Sequence, residues 1–294
     1  EINSNFLVKN IHSYPHNNQW RQNLVNAAIY IFNKNSLNGV QLTSERPDIA
    51  KDLFPQMLVS NKKIYGYIST EYIKDMGTPE RLSKVDRDIT SGKVASLVKK
   101  KAKIAIFLDR DGTINQEVNH LSSLDKFELI EGVGDAIHQI NLSGILAIVV
   151  TNQPVIARGE LNDCELKLIH NKMDTLLGKY GAYIDRLYYC PHHTDSGFEG
   201  EIKALKFDCD CRKPNIGMFL KAKNDLNIQL EKSWVVGDST RDILGAKNAG
   251  MKSILVRTGK AGKDKTYSVR PDFVADDLKE AVNLVLKVIK NDSC

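Results

Sequence analysis

Two carboxylates, Asp109 and Asp111, stand at the end of an apolar run in "IFLDRDGTIN" (106–115). That placement is costly, because like charges repel and the end of a buried strand solvates ions poorly. A solvated turn would explain one Asp-x-Asp pair on its own. Other apolar runs, however, end on related chemistry. "ILAIVV" leads into Thr151 and Asn152, "CRKP" brings Arg212 and Lys213, and "SWVVG" runs into "GDSTRD" with Asp238 and Asp242. Aspartates, a hydroxyl and a lysine at strand ends form an inventory for phosphoryl transfer. Asp109 and Asp238 offer the hard oxygens that Mg²⁺ prefers. Lys213 and Thr151 can cover the oxygens of a transferring phosphoryl group. One aspartate can attack phosphorus, while another protonates the leaving oxygen and later activates water.

A second set of ligands lies in "CPHHTDSGFEGEIKALKFDCDC" (190–211), which offers Cys190, His192 or His193, Cys209 and Cys211. Two short pairs joined by a loop can wrap one tetrahedral ion with soft donors, which suits Zn²⁺. With every position filled by protein, such a site is structural. Its neighbours give it a purpose: Arg212 and Lys213 follow Cys211 directly, so pinning the loop places two cations. Cys164 and Cys294 have no such company and read as a helix-face residue and a terminal one.

These residues need a frame. Short Ile- and Val-rich runs at 103–108, 145–150, 184–189, 233–237 and 253–257 have the length and continuity of strands buried on both faces. Helical patterns at 131–143, 161–180, 215–227, 241–249 and 277–290 alternate with them. The alternation predicts an α/β fold, a Rossmann-like doubly wound parallel sheet with ligands at the carboxyl ends of its strands. The gap between the first two motifs fits one helix, so no large cap is expected. The first 98 residues lack that rhythm and read as a smaller α/β fragment, with a polar linker or helix over 86–102. Two units follow, 1–98 and 99–294.

Composition excludes several classes. With 42% hydrophobic and 26% charged residues and a formal charge of +5, the 294-residue chain is of ordinary globular type. The run Lys99 to Lys103 lacks interleaved aromatics and reads as a solvated linker, not a nucleic-acid contact. No apolar stretch reaches membrane-spanning length. An odd cysteine count without a secretion signal points to a reducing cytoplasm. The chain begins at Glu1, which suggests processing or a piece of something longer.

Taken in order, "DRDGT", "TNQ", "RKP" and "GDSTRD" resemble the four motifs of the haloacid dehalogenase superfamily of Mg²⁺-dependent phosphatases, over roughly residues 103–290. The resemblance implies that Asp109 is the nucleophile and a Mg²⁺ ligand. Asp111 would be the general acid/base, its carbonyl also on the metal, and Thr151 and Lys213 would hold phosphoryl oxygens. Asp238 would be the second carboxylate ligand, with Asp242 as outer support or an indirect ligand, although a carboxylate on the first turn of a helix also has a structural use at the helix dipole. "CPHH…CDCRKP", "TNQPVIARGEL" and "VRTGKAG" further resemble the D-glycero-D-manno-heptose 1,7-bisphosphate 7-phosphatases. That match implies His192 as the zinc ligand and Asn152, Arg158 and Arg212 as substrate contacts. Pro154-Val155 departs from the Ser-Gly usual there. The related histidinol-phosphate phosphatases share the zinc loop but usually differ after "TNQ". A non-catalytic partner of a nucleotidyltransferase is the other reading, and the intact motif set argues against it.

"NAAIYIF", "DLFPQML" and "EYIKDMGTPERL" resemble the carboxyl-terminal half of the catalytic domain of sugar-1-phosphate nucleotidyltransferases, without the glycine-rich nucleotide loop. Asp75 matches a metal-binding aspartate of those enzymes, but in this chain a turn role fits it better. The resemblance implies a two-enzyme fusion in which the phosphatase supplies a sugar 1-phosphate for a nucleotide-sugar used in surface polysaccharide (lipopolysaccharide) synthesis. The guanylyltransferase character of the match favours the α-anomer.

Overall fold

The computed structural model describes residues 1–3, 5–12, 20–42 and 45–291. Cys294 lies outside them. Three helices come first: α1 (Phe54–Val59), α2 (Pro79–Thr90) and α3 (Lys93–Ser96). The alternating part runs β1 (Ala105–Leu108), α4 (Val133–Ser143), β2 (Leu146–Asn152), α5 (Pro154–Ala157), α6 (Asp163–Gly178) and β3 (Arg186–Cys190). It continues with α7 (Gly217–Leu226), β4 (Trp234–Gly237), α8 (Thr240–Asn248), β5 (Lys252–Val256), β6 (Phe273–Ala275) and α9 (Leu278–Asn291).

The six strands form one parallel sheet in the order β3-β2-β1-β4-β5-β6. Alternation along β1 explains the two cores. Ile106 and Leu108 join Ile137, Met173, Val236 and Val285 on the α4, α6 and α9 side. Phe107 faces the other way, with Val150, Phe219 and Ala246, its ring edge-on to Phe219 at 5.2 Å. Each large side chain so buried contributes roughly 1.5–3 kcal/mol. Because β1 sits between β2 and β4, the strand order reverses at it, and the chain leaving β1 enters the crevice where such sheets bind ligands.

Local signals fix where the helices begin. Asn162 and Glu165 cap α6 reciprocally, and Ser239 and Asp242 do the same for α8. Pro154 opens α5 at a position where a missing N–H costs nothing, so the Pro-Val departure becomes a single helical turn. The five expected strands and five expected helices are all present; β6 and α5 were not foreseen.

The amino-terminal part corrects an expectation. Among the described residues of 1–98 there is no strand, only the isolated bridges Ile2–Val8 and Leu7–Tyr65 beside the three α-helices, a 3-10 turn at Lys34–Leu37 and a π-helical turn at Ile49–Leu53. A strand needs a neighbour for its backbone and a face to bury. "NAAIYIF" finds no neighbouring strand; Tyr30 and Phe32 pack their rings on Phe54, while Ile29 is 70% and Ile31 fully exposed. The segment 86–102 is helical in part, in α2 and α3. Lys103, at the end of the basic run, is buried and donates to the carbonyls of Val98, Lys99 and Lys101. Among the described residues, no helix is long and apolar enough to cross a membrane.

Candidate active site

Asp109 follows β1 directly, and its N–H still bonds Val236 O at 3.0 Å, so the strand ladder fixes its backbone. Lys213 Nζ lies 2.9 Å from Asp109 Oδ1, 2.6 Å from Asp242 Oδ1 and 2.7 Å from Val150 O. Burial works against the Lys213 charge, but Asp109 and Asp242 outweigh it and raise its pKa. Burial and the Asp242 charge push Asp109 up to about 6. Asp242 goes the other way: burial opposes its charge, yet Lys213 and the Ser239 hydroxyl hold it low.

Asp238, after β4, is pushed up to about 8 by burial and by the Asp242 and Asp109 charges. Its carboxylate accepts from Lys260 N at 2.6 Å. Gly112 and Gly259, both at positive φ, press against it so closely that a Cβ on either would collide with its oxygens. Carboxylate oxygens of Asp109, Asp238 and Asp242 lie within 4.8 Å of one another. Asp242 already uses one oxygen on Lys213 and the other on the hydroxyl of Ser239, 2.6 Å away. Asp109 and Asp238 are thus the pair with capacity for a cation. Hard oxygens whose mutual repulsion a dication would relieve fit Mg²⁺.

Asp111 is cradled. Arg110 Nη2 reaches both of its oxygens at 2.9 Å, Nε reaches Oδ1 at 3.2 Å, and Asn115 Nδ2 donates to Oδ1 at 3.0 Å. Gln153 Nε2 donates to Asp111 Oδ2 at 2.8 Å and to Thr151 Oγ1 at 2.9 Å, tying the expected acid/base to an expected phosphoryl contact. Burial opposes the Asp111 charge, but Arg110 and the amide donors overcome it and hold the carboxyl below its ordinary range.

The expected substrate contacts are placed differently. Asn152 exchanges two 3.0 Å hydrogen bonds with the backbone of Lys213, so in this structure it positions the lysine's main chain. Arg212 Nη1 donates to His192 O at 3.1 Å, within the Cys/His loop. Arg158 Nη1 bonds His120 Nε2 at 2.8 Å and its guanidinium covers the Phe198 ring at 4.4 Å, where the loop after β2 meets the Cys/His loop.

In that loop, Cys190 Sγ lies 3.5 Å from Cys209 Sγ, and Cys211 Sγ is 3.1 and 3.3 Å from the two. His192 Nδ1 is 3.2 Å from Cys211 Sγ and 3.6 Å from Cys190 Sγ. Bonds of about 2.3 Å around a tetrahedral zinc would space sulfurs about 3.8 Å apart, so the four converging donors suit such an ion with the sulfurs spread outward by a few tenths of an ångström. His193 is not in this cluster; its Nδ1 accepts from Asp195 N at 3.0 Å. Burial raises the Cys190 thiol, and Cys211 is pushed up to about 11, chiefly by burial, so metal uptake would expel protons.

Sequence reading missed Arg110, Gln153 and His170. Arg110 lay in plain view inside the first motif, but no spacing rule says that a residue between two aspartates will fold back onto one. His170, on α6, is joined to Arg110 only by the fold.

A HAD-hydrolase-like family model matches residues 210–281. The D-glycero-β-D-manno-heptose-1,7-bisphosphate 7-phosphatase of Haemophilus ducreyi is 45% identical over 161 residues, 54% of this chain and 86% of that protein. The chain belongs to the heptose-1,7-bisphosphate 7-phosphatase family. Its namesake from Vibrio cholerae is 39% identical over 190 residues, 64% of this chain and 100% of that protein. Among solved structures, the D,D-heptose 1,7-bisphosphate phosphatase of B. bronchiseptica, complexed with magnesium and phosphate, aligns with a TM-score of 0.56 at 31% identity, covering 63% of this chain and 99% of that one. Family membership agrees with the resemblance drawn from the motifs and with the sheet on which they sit.

Proposed function

We propose that this chain is a phosphoric monoester hydrolase that removes the 7-phosphate of D-glycero-D-manno-heptose 1,7-bisphosphate. The observation carrying the reading is the fully framed Asp109–Lys213–Asp238 cluster at the reversal of strand order. Asp109 Oδ attacks phosphorus as the bond from phosphorus to the C7 oxygen breaks, and Asp111, once it has taken up a proton in the substrate complex against the pull of Arg110, supplies the proton that oxygen takes. A water then loses its proton to Asp111 and attacks the aspartyl-phosphate, and the bond from phosphorus to Asp109 breaks to release inorganic phosphate. Lys213 and Thr151 hold the non-bridging oxygens through both steps. A Mg²⁺ ion held by Asp109, Asp238 and the Asp111 carbonyl would add charge neutralisation of the phosphoryl group. Zn²⁺ on Cys190, His192, Cys209 and Cys211 would hold the loop that carries Arg212 and Lys213.

The product would be a heptose 1-phosphate, ready for nucleotide activation. The named relatives act on the β-anomer, whereas the guanylyltransferase-like wording of the first 98 residues favours α. The fusion to a nucleotidyltransferase is part of this proposal and rests on that wording alone; Asp75 serves a turn there, accepting from Gly77 N at 2.9 Å and pairing with Arg81. A thiol-rich metal site supports a reducing cytoplasm as the location.

The test is Mg²⁺-dependent phosphate release from α- and β-heptose 1,7-bisphosphate and from histidinol phosphate. Either heptose should be preferred, and Asp109→Asn should abolish turnover with the fold intact. Preference for histidinol phosphate would overturn the substrate, and an active Asp109→Asn the nucleophile.

A further inference from the structure

Arg110 is fully buried beside the catalytic turn, an expensive place for a guanidinium unless each of its faces is engaged. Nε and Nη2 grip Asp111. Nη1 points the other way, 3.2 Å from His170 Nε2 on α6. A guanidinium only donates, so His170 must present a lone pair at Nε2 and carry its hydrogen on Nδ1. Burial and the Arg110 charge push the His170 pKa down to about 3, which keeps the ring neutral and able to accept.

We infer that His170 is a positioning residue for Asp111, acting through Arg110. The geometry forms a chain from His170 to Arg110, Asp111, Gln153 and Thr151, each link a hydrogen bond of 3.2 Å or less. Asp111 Oδ2 is thereby held one amide group from the Thr151 hydroxyl, at the edge of the phosphoryl pocket. Without the ring, Nη1 loses its acceptor, and the guanidinium that orients Asp111 loses the anchor on its far side. The inference rests on the phosphatase reading and on Asp111 as the proton donor.

Leaving groups separate this role from a merely structural one. A sugar oxygen needs a proton as it departs, whereas p-nitrophenolate leaves without one. The kcat/KM for each substrate reports the step in which the leaving group departs, and Arg110 itself is a poor target, since removing a buried cation threatens the fold. In His170→Ala, kcat/KM on heptose 1,7-bisphosphate should fall about 10- to 100-fold, with p-nitrophenyl phosphate changed by less than about threefold. His170→Gln, which restores an acceptor oxygen, should recover most of the loss, and both variants should melt cooperatively. Equal losses on the two substrates, no loss on either, or no recovery with Gln would each overturn the assignment. If wild-type protein hydrolyses other alkyl phosphates but neither heptose bisphosphate, the substrate proposal fails, and the comparison on the accepted alkyl ester still decides the role of His170.

Discussion

Lys213 Nζ meets two carboxylates and a carbonyl with only 2% of the residue exposed, so its loss strands two buried acids with no cation between them. Lys213→Met should therefore cost about 3–5 kcal/mol of stability as well as activity; a melting temperature equal to wild type would show that the carboxylates find another partner. Asp238 makes a pH prediction. Its folded pKa of about 8 stands above the ordinary carboxylate value, so between about 4 and about 8 the unfolded chain has released this proton while the folded one retains it. Stability from this group is thus withdrawn as pH rises through that window. Mg²⁺ must expel the same proton, so the rise in melting temperature on adding Mg²⁺ should be larger at about pH 8 than at about pH 6; equal shifts would remove Asp238 from the metal site. At this scale the sequence was readable for Asp109, which follows a strand directly, whereas Lys213, expected at a strand end, lies in the irregular segment between the Cys/His loop and α7 and reaches the site from there. It was not readable for Asn152, whose amide could face a substrate or a backbone and in the fold faces a backbone.

Among the elements, the Cys/His loop is built around its core of sulfur with a single 3-10 turn, Lys203–Leu205, between the end of β3 and Cys209. Its four donors are its own fastening, and the same backbone continues into Arg212 and Lys213. One zinc per chain is expected by elemental analysis. Cys211→Ser should lower that content, open residues 194–208 to protease, and reduce turnover several-fold while leaving the sheet folded; wild-type turnover without zinc would sever the loop from the site. The strands of the central sheet were legible because apolar runs buried on two faces have no other use, as in "AIVV" of β2. β6 was not, being three residues long at a sheet edge with Val274 half-exposed, so it lacks that continuous apolar signature.

For the molecule as a whole, the described residues of the amino-terminal part meet the sheet domain at α6 and β3. Arg21 N donates to Thr175 Oγ1 at 2.9 Å, Asn23 N to Asp174 Oδ2 at 3.1 Å and Lys167 Nζ to Ile2 O at 3.0 Å on α6, and Arg186 Nη2 of β3 donates to Ile68 O at 3.3 Å. None involves Asp109, Asp238 or the sulfur ligands. A chain beginning near residue 97 should keep its phosphatase kcat within about twofold, because the two cores that frame the site draw on residues beyond 103; a collapse in activity would make the two parts one folding unit. The change of rhythm near residue 98 was visible in the sequence, but not the fate of what precedes it, since a strand pattern says nothing about whether a partner strand exists. One detail of the sheet reaches further. The Asp109 amide hydrogen is bonded to Val236 O between two flanking strands, so it can trade with deuterium only when the central sheet itself comes apart. Its exchange rate would be a clock for global unfolding, read at the very residue proposed as the nucleophile.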